Sequence, residues 1–175
     1  MAETAQATFA RLLRDQAAPA LRAVGLRGSG NKYVLPDDEW WAQVNFQKSK
    51  FSTSEVIKFK VTLGAVRKAH WDKTRREHSY VKDIPPAGVS EAEWDAIRLA
   101  QSYLPEKPPS GGIISIGHLM PEIRADHWWS LSPDDPEQSM PKVLEAVKLY
   151  GIPALHNRIR RGVWDNALPD SLRTL

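Results

Sequence analysis

Polar and apolar residues alternate along two neighbouring stretches of the chain, as they do in β-strands with one buried face. Residues 41–47 read Trp-Ala-Gln-Val-Asn-Phe-Gln, and residues 56–63 read Val-Ile-Lys-Phe-Lys-Val-Thr-Leu. Because successive strand residues point to opposite sides, Val44 and Phe59 are predicted to lie on an inner face, with the polar residues on an outer face. The segment 52–54 between the strands is short, which predicts antiparallel pairing.

Apolar residues recur at helical spacing in four other stretches. They predict helices at residues 3–24, at residues 90–104, after Pro136 with an end near Gly151, and at residues 154–161. Pro19 is expected to kink or split the first helix, because proline lacks the N–H group and clashes with the preceding turn. Ser139 is expected to cap the third helix, which would place Pro141 in its first turn.

Shorter segments complete the predicted sheet. Residues 32–35 follow a glycine-rich turn, and residues 112–119 and 126–131 are predicted to be the two strands of a further hairpin. Residues 67–83 are charged and aromatic without a clear period, which indicates a loop or an irregular helix. The chain, residues 1–175, is therefore predicted to be one α+β domain. Its antiparallel sheet of about four to five strands packs against an N-terminal helix and C-terminal helices.

Composition excludes several classes of protein. The 175 residues include no cysteine, which rules out disulfides, thiolate metal sites and a cysteine nucleophile. The net charge is only +3, and the charges of both signs are mixed along the chain. No apolar run approaches the roughly 20 residues of a membrane-spanning helix, and the start lacks the pattern of a signal peptide. We therefore expect a cytoplasmic protein that does not contact a membrane and carries no cofactor.

The order of several short motifs is similar to that of a known family. The motifs are a helix that ends in Gly25-Leu-Arg, the strands Val44-Asn-Phe-Gln-Lys-Ser49 and Phe59-Lys-Val-Thr-Leu-Gly64, and the segments Gly117-His-Leu, Asp126-His-Trp-Trp129 and Tyr150-Gly-Ile-Pro153. In this order they resemble the bacterial family called domain of unknown function 4304. The resemblance covers residues 9–155 and leaves residues 163–175 as a tail. It implies an α+β fold and brings no assigned activity.

The outer face of the two central strands is the main candidate for a binding surface, although polar residues are also the ordinary solvent face of an antiparallel sheet. The seven tryptophans include two adjacent pairs, at positions 40/41 and 128/129. Neighbouring strand residues point to opposite faces, so one ring of each pair is predicted to be core and the other exposed or covered by a helix. Aromatic and hydrogen-bonding side chains make good anchors for a partner. The candidate residues are Trp41, Gln43, Asn45, Gln47, Lys58, Lys60, Trp128 and Trp129.

These features favour a non-enzymatic bacterial binding module, with another protein as the expected partner. A small, cysteine-free and tryptophan-rich domain without a catalytic motif would suit an immunity- or antitoxin-like role. The oligomeric state stays open, because an exposed sheet edge or a spare tryptophan would serve a homodimer as well as a foreign partner.

A first alternative is a nucleic-acid-binding protein that uses a basic aromatic loop. Lys73, Arg75 and Arg76 form a basic run flanked by the rings of Trp71 and Tyr80. Such a mixture binds phosphates while the rings stack on bases. The acidic residues in the same stretch dilute this signal, and a solvated charged loop has the same composition.

A second alternative is a small metal-dependent hydrolase. His118, Asp126 and His127 flank the turn of the predicted last hairpin, so nitrogen and oxygen ligands would converge there. None of the sharp spacing signatures of a metal site is present, and histidines in turns often only bond to the backbone. No nucleophile motif supports a particular reaction.

Overall fold

The structure is a computed structural model, and it describes residues 3–78, 113–131 and 136–164. Five α-helices lie in these ranges: α1 (Ala5–Leu12), α2 (Ala18–Ala23), α3 (Lys68–Glu77), α4 (Pro136–Ala146) and α5 (Ile152–Arg161). Six strands accompany them: β1 (Arg27–Ser29), β2 (Lys32–Leu35), β3 (Trp40–Lys48), β4 (Ile57–Arg67), β5 (Ile113–Ser115) and β6 (Trp129–Leu131). The helix predicted at residues 90–104 lies outside the described residues.

The six strands form one antiparallel sheet, which confirms the α+β prediction. The strand order is β1-β2-β3-β4-β5, and β6 also pairs with β4. The long strands β3 and β4 pair antiparallel as predicted, with Val44 opposite Leu63 and Phe46 opposite Val61. The turn at residues 27–32 is tighter than expected, since Arg27–Ser29 itself forms a strand that pairs with β2.

The last two strands do not form the predicted hairpin. β5 pairs with β4 at Thr62, Leu63 and Gly64, and β6 pairs with β4 at the other end, from Ile57 to Phe59. Both are antiparallel to β4, so they run in the same direction, one after the other along one edge. The 11-residue length of β4 explains this arrangement, because a single edge of that length accommodates two short strands.

The predicted break at Pro19 and the predicted helix end near Gly151 are both bridged by a wider helical turn. A π turn at Leu13–Ala17 joins α1 to α2, and another at Val147–Gly151 joins α4 to α5. A proline occupies the start of the helix that follows in both cases, where its missing N–H costs little. The chain therefore continues as a helix through Pro19, and α4 does not stop at Gly151 as predicted.

The start of α4 also differs from the prediction. The helix begins at Pro136 and so places Pro141 in its interior, whereas Ser139 was expected to be its cap. A proline at the first helical position is pre-organised by its fixed φ angle, which favours the earlier start. None of the helices in the described ranges combines the length and apolarity needed to cross a membrane.

The core lies between the inner face of the sheet and the helices at the two ends of the chain. Phe59 is at its centre, with its ring 4.8 Å from Phe9 of α1 and 6.4 Å from Phe46 of β3. On the helical side the core is completed by buried residues of α2, α4 and α5: Leu21, Met140, Val143, Ala154 and Leu155. The apolar residues on the inner face of the strands and on one side of the helices thus pack together in one layer.

Lys68–Glu77 of the charged stretch after β4 form a regular helix, α3, where the sequence left a loop and an irregular helix open. It begins directly at the end of β4, and Lys68 donates its backbone N–H to Glu39 O at 2.8 Å. Its buried residue Trp71 packs with Val66, Trp41 and Ile113 in a small second cluster. Val66 and Trp41 are outer-face positions of β4 and β3, so α3 covers one end of the outer face.

Candidate functional site

The outer face of the sheet is built by the residues that alternate with the core residues of β3, β4 and β5. Asn45 lies opposite Thr62, and Gln47 lies opposite Lys60. β5 adds Ser115 beside Thr62. Asn45, Thr62 and Ser115 thus form a row across three strands, which we call the polar row.

The centre of this face is buried, so the expectation of an accessible platform is wrong there. Gln43 exposes 3% of its surface and Asn45 exposes 4%. Trp41 and Gln47 are half-buried, and Lys58 is exposed. The accessible residues of this face therefore lie at its margin.

Two amide oxygens on β3 have no hydrogen-bond partner in the described part of the chain. They are Asn45 Oδ1 and Gln47 Oε1, and both are shielded from solvent. Buried polar atoms in proteins are normally bonded to a protein group or to water. Because the two residues lie two positions apart on one strand, their oxygens are on the same face and offer two acceptors to a hydrogen-bond donor.

Lys60, Asp126 and Trp128 meet at the margin of the outer face, in a group that we call the Lys60 corner. Lys60 Nζ lies 3.0 Å from Asp126 Oδ2 and 4.9 Å from the centroid of the Trp128 ring. A cation is attracted to the negative face of an indole ring. The ammonium group is thus held by the carboxylate, and it fixes the ring of Trp128 in turn.

The charge of Asp126 depends on the same contacts. Partial burial would raise the pKa of its carboxyl group, but the Ser115 hydroxyl and the Lys60 ammonium outweigh burial and lower the pKa below its usual value. The positive field of His118 adds to this effect. Asp126 is therefore ionised at neutral pH.

Gly117 allows the turn that contains Asp126 to lie close to the sheet. Gly117 lies in the short 3-10 turn that follows β5. A Cβ atom at this position would lie 2.3 Å from the carbonyl oxygen of Ala125 and 2.6 Å from Cβ of His127. Only glycine leaves room for the backbone of residues 125–127, so Gly117 sets the position of Asp126 opposite Lys60.

The two tryptophan pairs divide between the faces as the alternation predicts. Trp40 is core, whereas Trp41 faces outward and is covered by α3. Trp129 packs inward with its ring stacked 6.1 Å from that of Phe59. Trp128 remains 37% exposed on the outer side. The accessible ring of the candidate surface is therefore Trp128.

The residues of the nucleic-acid alternative lie on α3. Lys73, Arg75 and Arg76 are exposed, whereas the ring of Trp71 is fully buried and so is not available to stack on a base. Tyr80 lies outside the described residues. In its described part the stretch thus offers cationic side chains on a helix, and not the interleaved rings that the sequence suggested.

The side chains proposed as metal ligands do not converge on one site, because they have different surroundings. Asp126 pairs with Lys60, and the ring of His127 stands edge-on at 4.5 Å from the ring of Trp129. His118 is exposed. Within residues 3–78, 113–131 and 136–164, no three histidine or carboxylate side chains are grouped as metal ligands.

Replacing Asp126 with asparagine tests the Lys60 corner. We expect the free energy of unfolding at neutral pH to fall by less than about 1 kcal/mol, since the pair is partly exposed to solvent. A carboxyl group with a lowered pKa stabilises the fold above its ordinary pKa of about 3.9, and this contribution is lost as the pH falls through the lowered value. Urea unfolding should therefore distinguish the variant from wild type at neutral pH and not at about pH 2. A difference that is equal at both pH values would contradict the ion pair.

Sequence reasoning missed the part that Ser115 and Gly117 play in this site. The signal for Ser115 was present, because it alternates with Ile114 and Ile116 in a predicted strand and so belongs to the outer face. The pairing of Lys60 with Asp126 joins residues 66 positions apart, and no local pattern marks it.

Comparison with known proteins supports the resemblance seen in the motifs. A family model described as domain of unknown function (DUF4304) matches residues 17–157, which include α2, α3, α4, all six described strands and most of α5. No curated protein matches the chain significantly. No solved structure does so either. Since the family match covers more than half of the sequence, the chain belongs to the DUF4304 family.

Proposed function

We propose that the protein is a non-enzymatic binding module that docks on a protein partner through the Lys60 corner. The observation that carries this proposal is the ring of Trp128, which is 37% exposed and lies against the Lys60 ammonium at 4.9 Å. Tryptophan is among the residues that contribute most to binding when a partner covers it. An immunity- or antitoxin-like role is one member of this class.

The Lys60 corner is pre-organised for such a contact. The ion pair between Lys60 and Asp126 holds the ammonium group beside the ring, so little side-chain freedom is lost when a partner covers Trp128. Lys58 is exposed next to it on β4, and Ser130 of β6 lies opposite Lys58. The surface thus combines an aromatic anchor with polar groups at its rim, as protein interfaces do.

The contacts of the same segment favour binding over catalysis. The carboxylate of Asp126 is engaged by a lysine and the ring of His127 by Trp129. A general acid or base needs a titratable group that reaches the reacting atoms, and these two groups are turned to structural partners. In this proposal, the contacts of Asp126 and His127 hold the ring of Trp128 at the surface.

The test is direct binding of wild type and of the Trp128→Ala variant to a purified candidate partner. The first candidate is the protein encoded by the neighbouring gene, and the dissociation constant is measured by titration calorimetry. We expect the variant to bind about 30-fold more weakly, as is usual for a central interface tryptophan. Thermal unfolding of both proteins is recorded in parallel, and the Tm should change little because the ring is partly exposed.

Phe51→Ala is the matched control. Phe51 is an exposed aromatic residue that also lies near a lysine, with Lys50 Nζ 5.2 Å from its ring centroid. Its removal should change the dissociation constant by less than about twofold. Equal binding by wild type and the Trp128→Ala variant, with equal Tm values, would exclude the Lys60 corner as the interface.

A further inference from the structure

A buried arginine lies on the other side of the sheet from the Lys60 corner. Arg158 is in the last turn of α5, the helix whose residues Ala154 and Leu155 belong to the main core. Only 1% of its surface is exposed. Arginine is almost never buried to this extent without a partner for its charge.

The contacts of Arg158 account for only part of its guanidinium group. Nη1 donates a hydrogen bond to the carbonyl oxygen of Gly162. The ring of Trp164 lies over the guanidinium, with its centroid 5.6 Å from Cζ. Nε and Nη2 are shielded from solvent and have no hydrogen-bond partner in the described part of the chain.

The two nitrogens without a partner belong together geometrically. The N–H groups of Nε and Nη2 point in the same direction and form one edge of the planar fork, which matches two oxygens of a carboxylate or phosphate. Trp164 covers a face of the guanidinium and Gly162 takes Nη1, so this edge is left over. An oxyanion bound in the plane of the group would accept hydrogen bonds from both donors at once.

The described part of the chain provides no ion pair for this charge. Burial lowers the pKa of Arg158, and no carboxylate among the described residues opposes this effect. The C-terminal end of α5 attracts a cation, but this dipole stabilises far less than the loss of hydration costs. A buried charge with two unsatisfied donors is therefore expected to bind an anion.

We propose that the Nε–Nη2 edge of Arg158 is a binding site for an oxyanion, either a carboxylate or a phosphate group. The site is separate from the proposed protein interface, since α5 packs on the inner side of β3 and β4 whereas the Lys60 corner is on the outer side. The result of the anion-binding test on Arg158 is therefore independent of the result of the partner-binding test on Trp128.

Thermal unfolding in chloride, acetate and inorganic phosphate at constant ionic strength tests the site. For the wild type we expect the Tm to rise by about 5–10 °C when the effective anion reaches about 100 times its dissociation constant. A rise in acetate assigns a carboxylate, and a rise only in phosphate assigns a phosphate group. An equal Tm in all three salts would overturn the proposal.

Phosphate also stabilises proteins in general. The response of the variants therefore shows whether the rise in Tm comes from binding at Arg158. Arg158→Met removes the charge and keeps the length of the side chain, and it should lose the anion-dependent rise. Arg158→Lys keeps the charge without the fork and should lose most of it. Arg160→Met, at an exposed position of the same helix, should respond like the wild type.

The two Arg158 variants also allow outcomes that would contradict the proposal. In chloride, Arg158→Met should unfold at a Tm no lower than that of the wild type, because it removes an uncompensated charge. If Arg158→Met does not fold, Arg158→Lys is compared with the wild type instead. A rise in Tm that is the same in Arg158→Lys as in the wild type would place the anion elsewhere.

Discussion

Replacing Phe59 with alanine is expected to lower the free energy of unfolding by about 3–5 kcal/mol, the range for a large aromatic residue removed from a core. Phe59 is fully buried and its ring contacts three other aromatic rings, those of Phe9, Phe46 and Trp129. It therefore joins α1, β3 and β6 around β4. The alanine variant would leave a cavity where these elements meet.

Denaturant unfolding of the Phe59→Ala variant measures this loss. Phe51→Ala is again the matched control, because Phe51 is 76% exposed and its removal should change the free energy of unfolding by less than about 0.5 kcal/mol. A loss below about 2 kcal/mol for Phe59→Ala would show that the core closes around the gap more easily than the ring contacts indicate.

Replacing Gly117 with alanine is expected to cost about 3 kcal/mol, at the upper end of the usual range for a group that does not fit. The added Cβ would meet backbone, the carbonyl oxygen of Ala125 at 2.3 Å, and a backbone contact has no rotamer by which to escape. The turn at residues 125–127 must then move away from the sheet. Asp126 should lose its contact with Lys60, and the variant should lose the pH-dependent stabilisation described for that pair.

The control for Gly117→Ala is Gly30→Ala. Gly30 has a φ angle of 61°, and nothing lies within 4 Å of a Cβ built on it. Its substitution therefore reports backbone strain without a clash and should cost roughly 1–2 kcal/mol. A smaller loss in Gly117→Ala than in Gly30→Ala would contradict the close approach of the two backbones. Both losses are measured by denaturant unfolding.

Variants inside the fold and the variant at the surface distinguish loss of structural support from loss of a binding contact. Phe59→Ala and Gly117→Ala act on the support of the Lys60 corner, whereas Trp128→Ala acts on its exposed ring. If the corner is the interface, Gly117→Ala should weaken partner binding even at temperatures where the variant is still folded. Trp128→Ala should weaken binding with little change in Tm.

Local patterns in the sequence determined the inner side of this protein. Alternation in β3 and β4 identified Val44, Phe46, Phe59 and Val61 as core residues, and the structure buries all four. The same alternation divided the adjacent tryptophans between the two faces. These predictions succeeded because the side-chain direction in a strand depends only on its period of two residues.

Three differences between the prediction and the structure have one cause, because a short-range sequence pattern does not show which distant residues pack against a side chain. β5 and β6 were assigned to a hairpin because they are neighbours in sequence, whereas both pair with β4. The stretch from Lys68 lacks a clear apolar period, yet it is helical and covers Trp41. Gln43 and Asn45 are polar and were taken as accessible, yet both are buried.

The sequence by itself thus determined the fold class, the central pair of strands and the face on which each of their side chains lies, because local backbone geometry sets all three. Tertiary structure alone decided which polar residues are buried and which charges meet. Lys60 reaches Asp126 across 66 positions, and Arg158 is buried with two nitrogens that have no hydrogen-bond partner among the described residues. Such contacts depend on how distant elements pack, and neither periodicity nor composition records that packing.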